Sequence, residues 1–190
     1  MTAASLVRTA RRHRALDQRE LAARARVSQP QLSLIESGKV RPRFDTVERV
    51  LRSTGQRLIA IPTVRDDAAG IGEAIGQALD SGDEQRAFRL FIQLSDDLAA
   101  EHGAVRFALG IAEPPPTGRK QWDAALAALV AHHFDAEGLP LPSWANSSDR
   151  ILERAWTPGD EYTVPPPAHR VPQEFLARRV LIDEDTLASA

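Results

Sequence analysis

The stretch "LDQRELAARARVSQPQLSLIESGK", Leu16 to Lys39, leaves the chain few local conformations to choose from. Asp17 stands three residues before Glu20, the spacing at which an N-cap side chain and the third helical residue satisfy each other's first-turn N–H groups. Leu21, Ala22 and Ala25 then make one inner face, so a short helix is predicted, with Arg24 and Arg26 facing outward or ending it. Ser28 caps a further helix after a brief turn. Pro30 falls in its first turn, where a missing N–H deprives no intrahelical acceptor, and Gly38 ends it. Leu32 and Ile35 lie three apart and turn inward, which leaves Gln29, Gln31, Ser33 and Leu34 on the outer and flanking surfaces. That outer surface is polar without being charged. Upstream, Leu6, Val7 and Ala10 predict an earlier helix ending near Arg14.

Charge separates this head from the rest. Residues 1 to 65 hold 14 Lys and Arg against five Asp and Glu, whereas residues 66 to 190 hold ten against 21, so a net −2 conceals a basic head on an acidic body. A basic head gathers a polyanion and an acidic body is repelled by one, so only the head is expected to meet nucleic acid. The chain of 190 residues, 43% of them hydrophobic, is long enough for one or two small cores. With no cysteine, disulfides, thiolate metal sites and cysteine nucleophiles are excluded. The first twenty residues lack a signal-peptide apolar stretch, and no apolar run approaches the roughly 18 residues of a membrane helix. The cytoplasm is the compartment expected.

Uncharged amides at the start of a short helix, set behind a capped helix and followed by cations, suit the major groove of DNA. A glutamine can pair with adenine through two hydrogen bonds, and serine or an exposed apolar residue such as Leu34 can meet base edges or a thymine methyl. Residues of about 5 to 57, including "VSQPQLSLIESG" and "FDTVERVLRSTG", resemble the Cro/repressor-type helix-turn-helix of the XRE family of transcriptional regulators. The resemblance implies that Gln18 holds a phosphate and that Ser28, Gln29, Gln31 and Ser33 lie at or near base edges. It further implies that Lys39, Arg41 and Arg43 grip the backbone, with Arg43 reaching toward the minor groove, while Glu36 is structural. Two positions depart from the family pattern. Arg26 stands where glycine is usual in a turn that can require positive φ, and Pro30 removes a donor and a contacting side chain from the helix start.

Beyond the head, "TGQRLIAIPTV" changes character. Gly55 stops the last helix, and Leu58, Ile59 and Ile61 form a short β-prone run closed by Pro62. A lone strand needs a partner. The same strand of a second copy supplies one if the protein is a homodimer on paired half-sites about 34 Å apart; the alternative is a partner elsewhere in the same chain.

Residues 66 to 139 are expected to form an acidic helical domain. Ala87, Leu90, Phe91, Leu94 and Leu98 repeat at helical spacing, as do Trp122, Leu126, Leu129, Val130 and Phe134, and "EPPPTG" at 113 to 118 makes a rigid loop between them. The tail, 140 to 190, is irregular and proline-rich, with aromatic residues Trp144, Trp156, Tyr162 and Phe175. Two readings stand: it folds over the helical body, or its aromatic anchors are completed by another protein. The order of "PPPTG", "WDAALAAL", "GLPLPSWA" and "FLARRVLIDEDTLA" is similar to XRE proteins of toxin–antitoxin operons whose toxin is nucleotidyltransferase-like. That resemblance implies an antitoxin whose acidic body neutralises the toxin while its head represses the operon. A stand-alone regulator whose helical domain senses a ligand is the alternative.

Catalysis is not expected, nor a cofactor. His132 and His133, about 100° apart on a helix, cannot share a metal as an i, i+4 pair does, and His13, His102 and His169 lack ligand spacing. The glycines of "AGIGEAIG" match neither a dinucleotide fingerprint nor a P-loop, and read as a helix with small residues. Asp96 and Asp97, or Asp183, Glu184 and Asp185, are acids without fixed neighbours and read as solvated charge. The fold class that emerges is mainly α: a repressor-like helix-turn-helix bundle over 1–65, ending in a short strand, then a helical domain with an irregular tail.

Overall fold

The computed structural model describes residues 2–159 and 163–188 and divides into two compact units, 1–62 and 63–190. The tail from residue 140 belongs to the second. Among the described residues there are ten α-helices and no sheet.

The first unit packs α1 (Ala3–His13), α2 (Gln18–Ala25), α3 (Gln29–Glu36) and α4 (Phe44–Ser53) around one core of Val7, Ala10, Leu21, Ala25, Leu32, Ile35, Val50 and Leu51. Each helix is short, so its stability comes from that shared apolar face and from its caps rather than from propensity. Asp17 Oδ1 accepts from the Glu20 N–H at 2.8 Å while Glu20 Oε2 accepts from the Asp17 N–H at 2.8 Å. Ser28 Oγ accepts from the Gln31 N–H, and Pro30 occupies the first turn behind it. Gly38, at φ 73°, turns the chain out of α3.

Arg26 ends α2 in the left-handed region, at φ 53° and ψ 46°, with its N–H directed at the carbonyls of Ala22 and Ala23. An L-residue with a Cβ is strained there by about 1–2 kcal/mol, part of which glycine would give back through its freer unfolded chain. Arg26→Gly is therefore expected to stabilise the first unit by about 1 kcal/mol, read as a raised urea midpoint at constant slope. An unchanged or lowered midpoint would mean the arginine side chain contributes more than its backbone costs.

The strand expected at Leu58, Ile59 and Ile61 is not formed. Residues 56–64 carry no regular structure, and among the described residues the one isolated β-bridge joins Trp156 to Val180. A β-prone run becomes a strand only when a neighbour accepts its ladder hydrogen bonds, and this single chain offers none at that place. Leu58 packs against the four-helix core, Ile61 is half-buried, and Ile59 is 80% exposed.

In the second unit α8 (Lys120–Asp135) is the central element, buried on every side from Ala124 through Ala131. Around it lie α5 (Ala68–Asp80), α6 (Glu84–Ala100) and α7 (Gly103–Ile111), followed by the short turns α9 (Gln173–Leu176) and α10 (Glu184–Leu187). Ile75, Phe91, Leu94, Leu98, Leu126, Leu129 and Phe134 form the fully buried centre. Gly72 of the "AGIGEAIG" helix has a physical reason to lack a side chain: a Cβ there would sit 2.6 Å from Pro114 Cβ, so the proline loop packs directly on α5.

The tail folds over this body. Phe175 is fully buried, edge-on to Phe91 at 6.4 Å, and Trp144 is 6% exposed with its indole N–H donated to the Ile111 carbonyl at 3.1 Å. Trp156 is half-buried, edge-on to Trp122 at 5.3 Å, and its backbone pairs with residues 179 and 181. Of the four aromatic residues expected as partner anchors, Trp144 and Phe175 thus lie in the core, where a partner could reach them only by displacing it. Tyr162 lies outside the described residues.

Candidate nucleic-acid interface

The outer face of α3 is built by exclusion. At 100° per residue, Leu32, Ile35 and Glu36 share the buried side, so Pro30 and Leu34 point away from it, with Gln29 and Ser33 on one flank and Gln31 on the other. Ser28, Gln29 and Gln31 are exposed, Ser33 is half-buried, and Leu34 is 42% exposed. This is the one face of α3 where amides, hydroxyls and a single apolar side chain stand together without a charge.

Cations follow at once. Lys39, Arg41 and Arg43 lie exposed in the loop from α3 to α4, and Arg43 is the residue that opens α4. Gln18 is the first residue of α2, beside N–H groups that the helix itself leaves unpaired. The arrangement is an uncharged reading surface between phosphate-attracting groups, the division of labour that separates base contacts from positioning contacts.

A hydrogen-bonded chain behind this surface was not visible as such in the sequence. Glu36, 4% exposed, receives the Arg11 guanidinium through Nε–Oε1 at 2.7 Å and Nη2–Oε2 at 3.0 Å, and Arg8 donates to its backbone carbonyl. The same carboxylate accepts from Gln18 Nε2 at 2.9 Å, and Gln18 Oε1 accepts from Gln29 Nε2 at 3.1 Å. Burial by itself pushes the Glu36 carboxyl up. The hydrogen bonds from Arg11 and Gln18 and the charges of Arg11 and Arg8 outweigh it, leaving the carboxyl below its ordinary value. The Arg11 guanidinium is correspondingly raised, first by its hydrogen bond to Glu36. Gln29 and Glu36, seven apart on α3, share a stripe; only the tertiary approach of α1 and α2 shows that the stripe is a wire.

Two histidines of the second unit are occupied by structure. His132 Nδ1 pairs with Glu174 at 3.1 Å, and His133 Nε2 meets the Ser95 hydroxyl at 3.1 Å. Burial first, then the neighbouring charges of His132 and Arg106, push His133 down to about 4. The Leu187 carbonyl can only accept the Ser95 proton, at 3.3 Å, so His133 donates to Ser95 as a neutral ring. Asp97, one of the acids read as solvated charge, is instead buried and accepts from the Asp66 N–H and from Arg65.

A helix-turn-helix family model matches residues 7–58. No curated protein and no solved structure matches the chain. No helix among the described residues is long and apolar enough to cross a membrane. Both the matched span and the geometry within it describe an XRE-type helix-turn-helix domain, the DNA-binding part of a transcriptional regulator.

Proposed function

We propose that the protein is a sequence-specific repressor that binds paired half-sites as a homodimer, and that it is the autoregulating antitoxin of a nucleotidyltransferase-like toxin. The observation that carries the DNA reading is the uncharged outer face of α3, set between Gln18 and the cations Lys39, Arg41 and Arg43. Gln29, Gln31 and Ser33 read base edges, Ser28 sits at their border, and the three cations hold phosphates. Support for the dimer comes from Leu58, Ile59 and Ile61: Leu58 is held against the core while Ile59 stands 80% exposed in a segment with free strand propensity. Pairing it with its two-fold copy would supply the ladder it lacks.

The antitoxin role rests on the acidic charge of residues 66–190 and on the order of tail motifs. Because Trp144 and Phe175 are buried, contact with a toxin falls to the exposed part of the second unit, where Trp156 is half-buried and Val164 is 83% exposed. One observation favours the ligand-sensing alternative: an open cavity of about 860 Å³ bounded by Glu113, Lys120, Asp123, Arg150, Leu152 and Trp156. Arg150 is already bound there to Glu113 at 3.3 Å and Asp123 at 3.7 Å, so a ligand would meet a floor whose charges are largely matched.

The test is a titration on the protein's own upstream DNA and on scrambled DNA at two salt concentrations, with and without the neighbouring gene product. Selective binding altered by that product supports the antitoxin. Selectivity indifferent to it, yet changed by a small molecule, supports the sensor. In the same assay Arg41→Ala is expected to weaken all sequences alike and to lower the salt slope by about one, whereas Gln31→Ala relaxes base preference. Equal salt slopes for Arg41→Ala and the wild type would remove Arg41 from the phosphate contacts.

A further inference from the structure

A buried cation is tolerated when a carboxylate faces it, and the second unit treats its three buried arginines unequally. Arg106 meets Glu137 at 3.3 Å, and Arg150 meets Glu113 at 3.3 Å and Asp123 at 3.7 Å. Arg178 has no carboxylate at ion-pair distance among the described residues. It donates Nη1 to the Glu174 carbonyl at 2.9 Å and Nη2 to the Ala145 carbonyl at 2.6 Å, which leaves Nε without an acceptor there. The Glu174 carboxylate is turned elsewhere, its Oε2 at 3.1 Å from His132 Nδ1. Burial accordingly pushes the Arg178 guanidinium down, and the charge of Glu174 only partly opposes it. At neutral pH the group is still a cation.

That cation borders a cavity. An open space of about 310 Å³ lies between the end of α8, the loop that follows it and α9, with Phe134, Leu139 and Leu141 as apolar walls and the amides of Asn146 and Gln173 beside them. We propose that this cavity binds a small monocarboxylic acid with an apolar body, its carboxylate paired with Arg178 and its body set on Phe134, Leu139 and Leu141. A guanidinium and a carboxylate are both planar and match through two parallel hydrogen bonds, whereas a single cation is too few for a phosphate dianion. Asp135 also borders the cavity, but it is exposed, so water and salt screen its charge far more than that of the buried arginine.

The site is independent of DNA recognition. All of its walls belong to the second unit, and none is shared with the cavity bounded by Arg150, where the charges are already matched. An acid bound there touches both α8 and α9, so it ties the tail to the central helix. Because only the folded unit assembles these walls, binding must also raise the stability of that unit.

The experiment is calorimetric titration of the full-length protein, at fixed ionic strength, with phenylacetate, indoleacetate and hexanoate, each beside its uncharged amide, and with inorganic phosphate. At least one acid is expected to bind at one site per chain, about tenfold or more tighter than its own amide. The urea midpoint followed by tryptophan emission should rise with that acid and not with the amide, which places the binding in the second unit. Arg178→Met removes the cation, and Gln173→Glu sets a carboxylate on the cavity wall with no change of shape; each should weaken the acid about tenfold or more and the amide much less. Gln173 is exposed at the start of α9, so its variant keeps the test decisive if Arg178→Met does not fold. No saturable binding by any of the three acids, equal affinity for acid and amide, or undiminished binding by the folded variants would each overturn the assignment. So would phosphate bound as tightly as the acids, because the apolar walls would then contribute nothing.

Discussion

Phe175→Ala is expected to destabilise the second unit by about 3–5 kcal/mol, the cost typical of removing a fully buried phenylalanine. The ring sits on α9, a single turn that has no stability of its own and exists because it is packed. It lies edge-on to Phe91 and 6.1 Å from the His132 ring, so its loss opens a cavity between α6, α8 and the tail. Nearby polar contacts depend on that packing. Glu174 reaches His132, and Arg178 donates to the Ala145 carbonyl at 2.6 Å, so freeing α9 would undo both. All three tryptophans, Trp122, Trp144 and Trp156, belong to this unit, which makes their fluorescence a report on it alone. A urea midpoint followed by tryptophan emission should fall sharply in the variant. A loss below about 1 kcal/mol would show that the tail is an appendage rather than a wall of the core.

That prediction marks the boundary between what the sequence expressed and what it could not. Capping is local chemistry, so the Asp17–Glu20 pair, Ser28 and the stop at Gly38 were legible before any fold was known, and all three are present. The unusual turn was legible in part: Arg26 at a glycine position implies either strain at positive φ or a slightly different turn, and φ is 53°. Leu58 to Ile61 form no strand within the single chain because strand propensity describes a residue's fit to a pleated surface, not the existence of a neighbour to pair with. The tail stayed between two readings for a related reason. Trp144 and Phe175 sit in segments without periodicity, so nothing along the chain says whether an aromatic ring is buried by its own body or by another protein. The answer depends on contacts as distant as Trp144 to Ile111. Behind the candidate DNA surface, Glu36 was recognisable as structural, but its link to Gln18 and Gln29 needs three helices to converge.

The same convergence makes Glu36 the most sensitive position of the first unit. Glu36→Ala leaves the Arg11 guanidinium, 17% exposed, without its carboxylate, and breaking one side of a buried pair typically costs about 3–5 kcal/mol. Gln18 loses an acceptor at the same time. Amide hydrogen exchange within α1 to α4 reads the loss in this unit without relying on the tryptophans of the other. A loss of protection equivalent to less than about 1 kcal/mol would reduce the pair to a surface contact. Pairing Glu36→Leu with Arg11→Met should recover a large part of the stability, since the penalty comes mainly from stranding a charge and not from lacking a bond. The pH dependence has a definite sign. The folded carboxyl lies below its ordinary value of 4.5, so the ionised pair stabilises the fold at neutral pH. That contribution is lost as pH falls below 4.5 and through the lowered folded value. The gap between wild type and Glu36→Ala should therefore be widest near neutrality and narrow in acid. A gap that is constant from pH 7 to pH 3, measured by exchange or by urea unfolding followed by circular dichroism, would show that the carboxylate acts through packing and not through its charge.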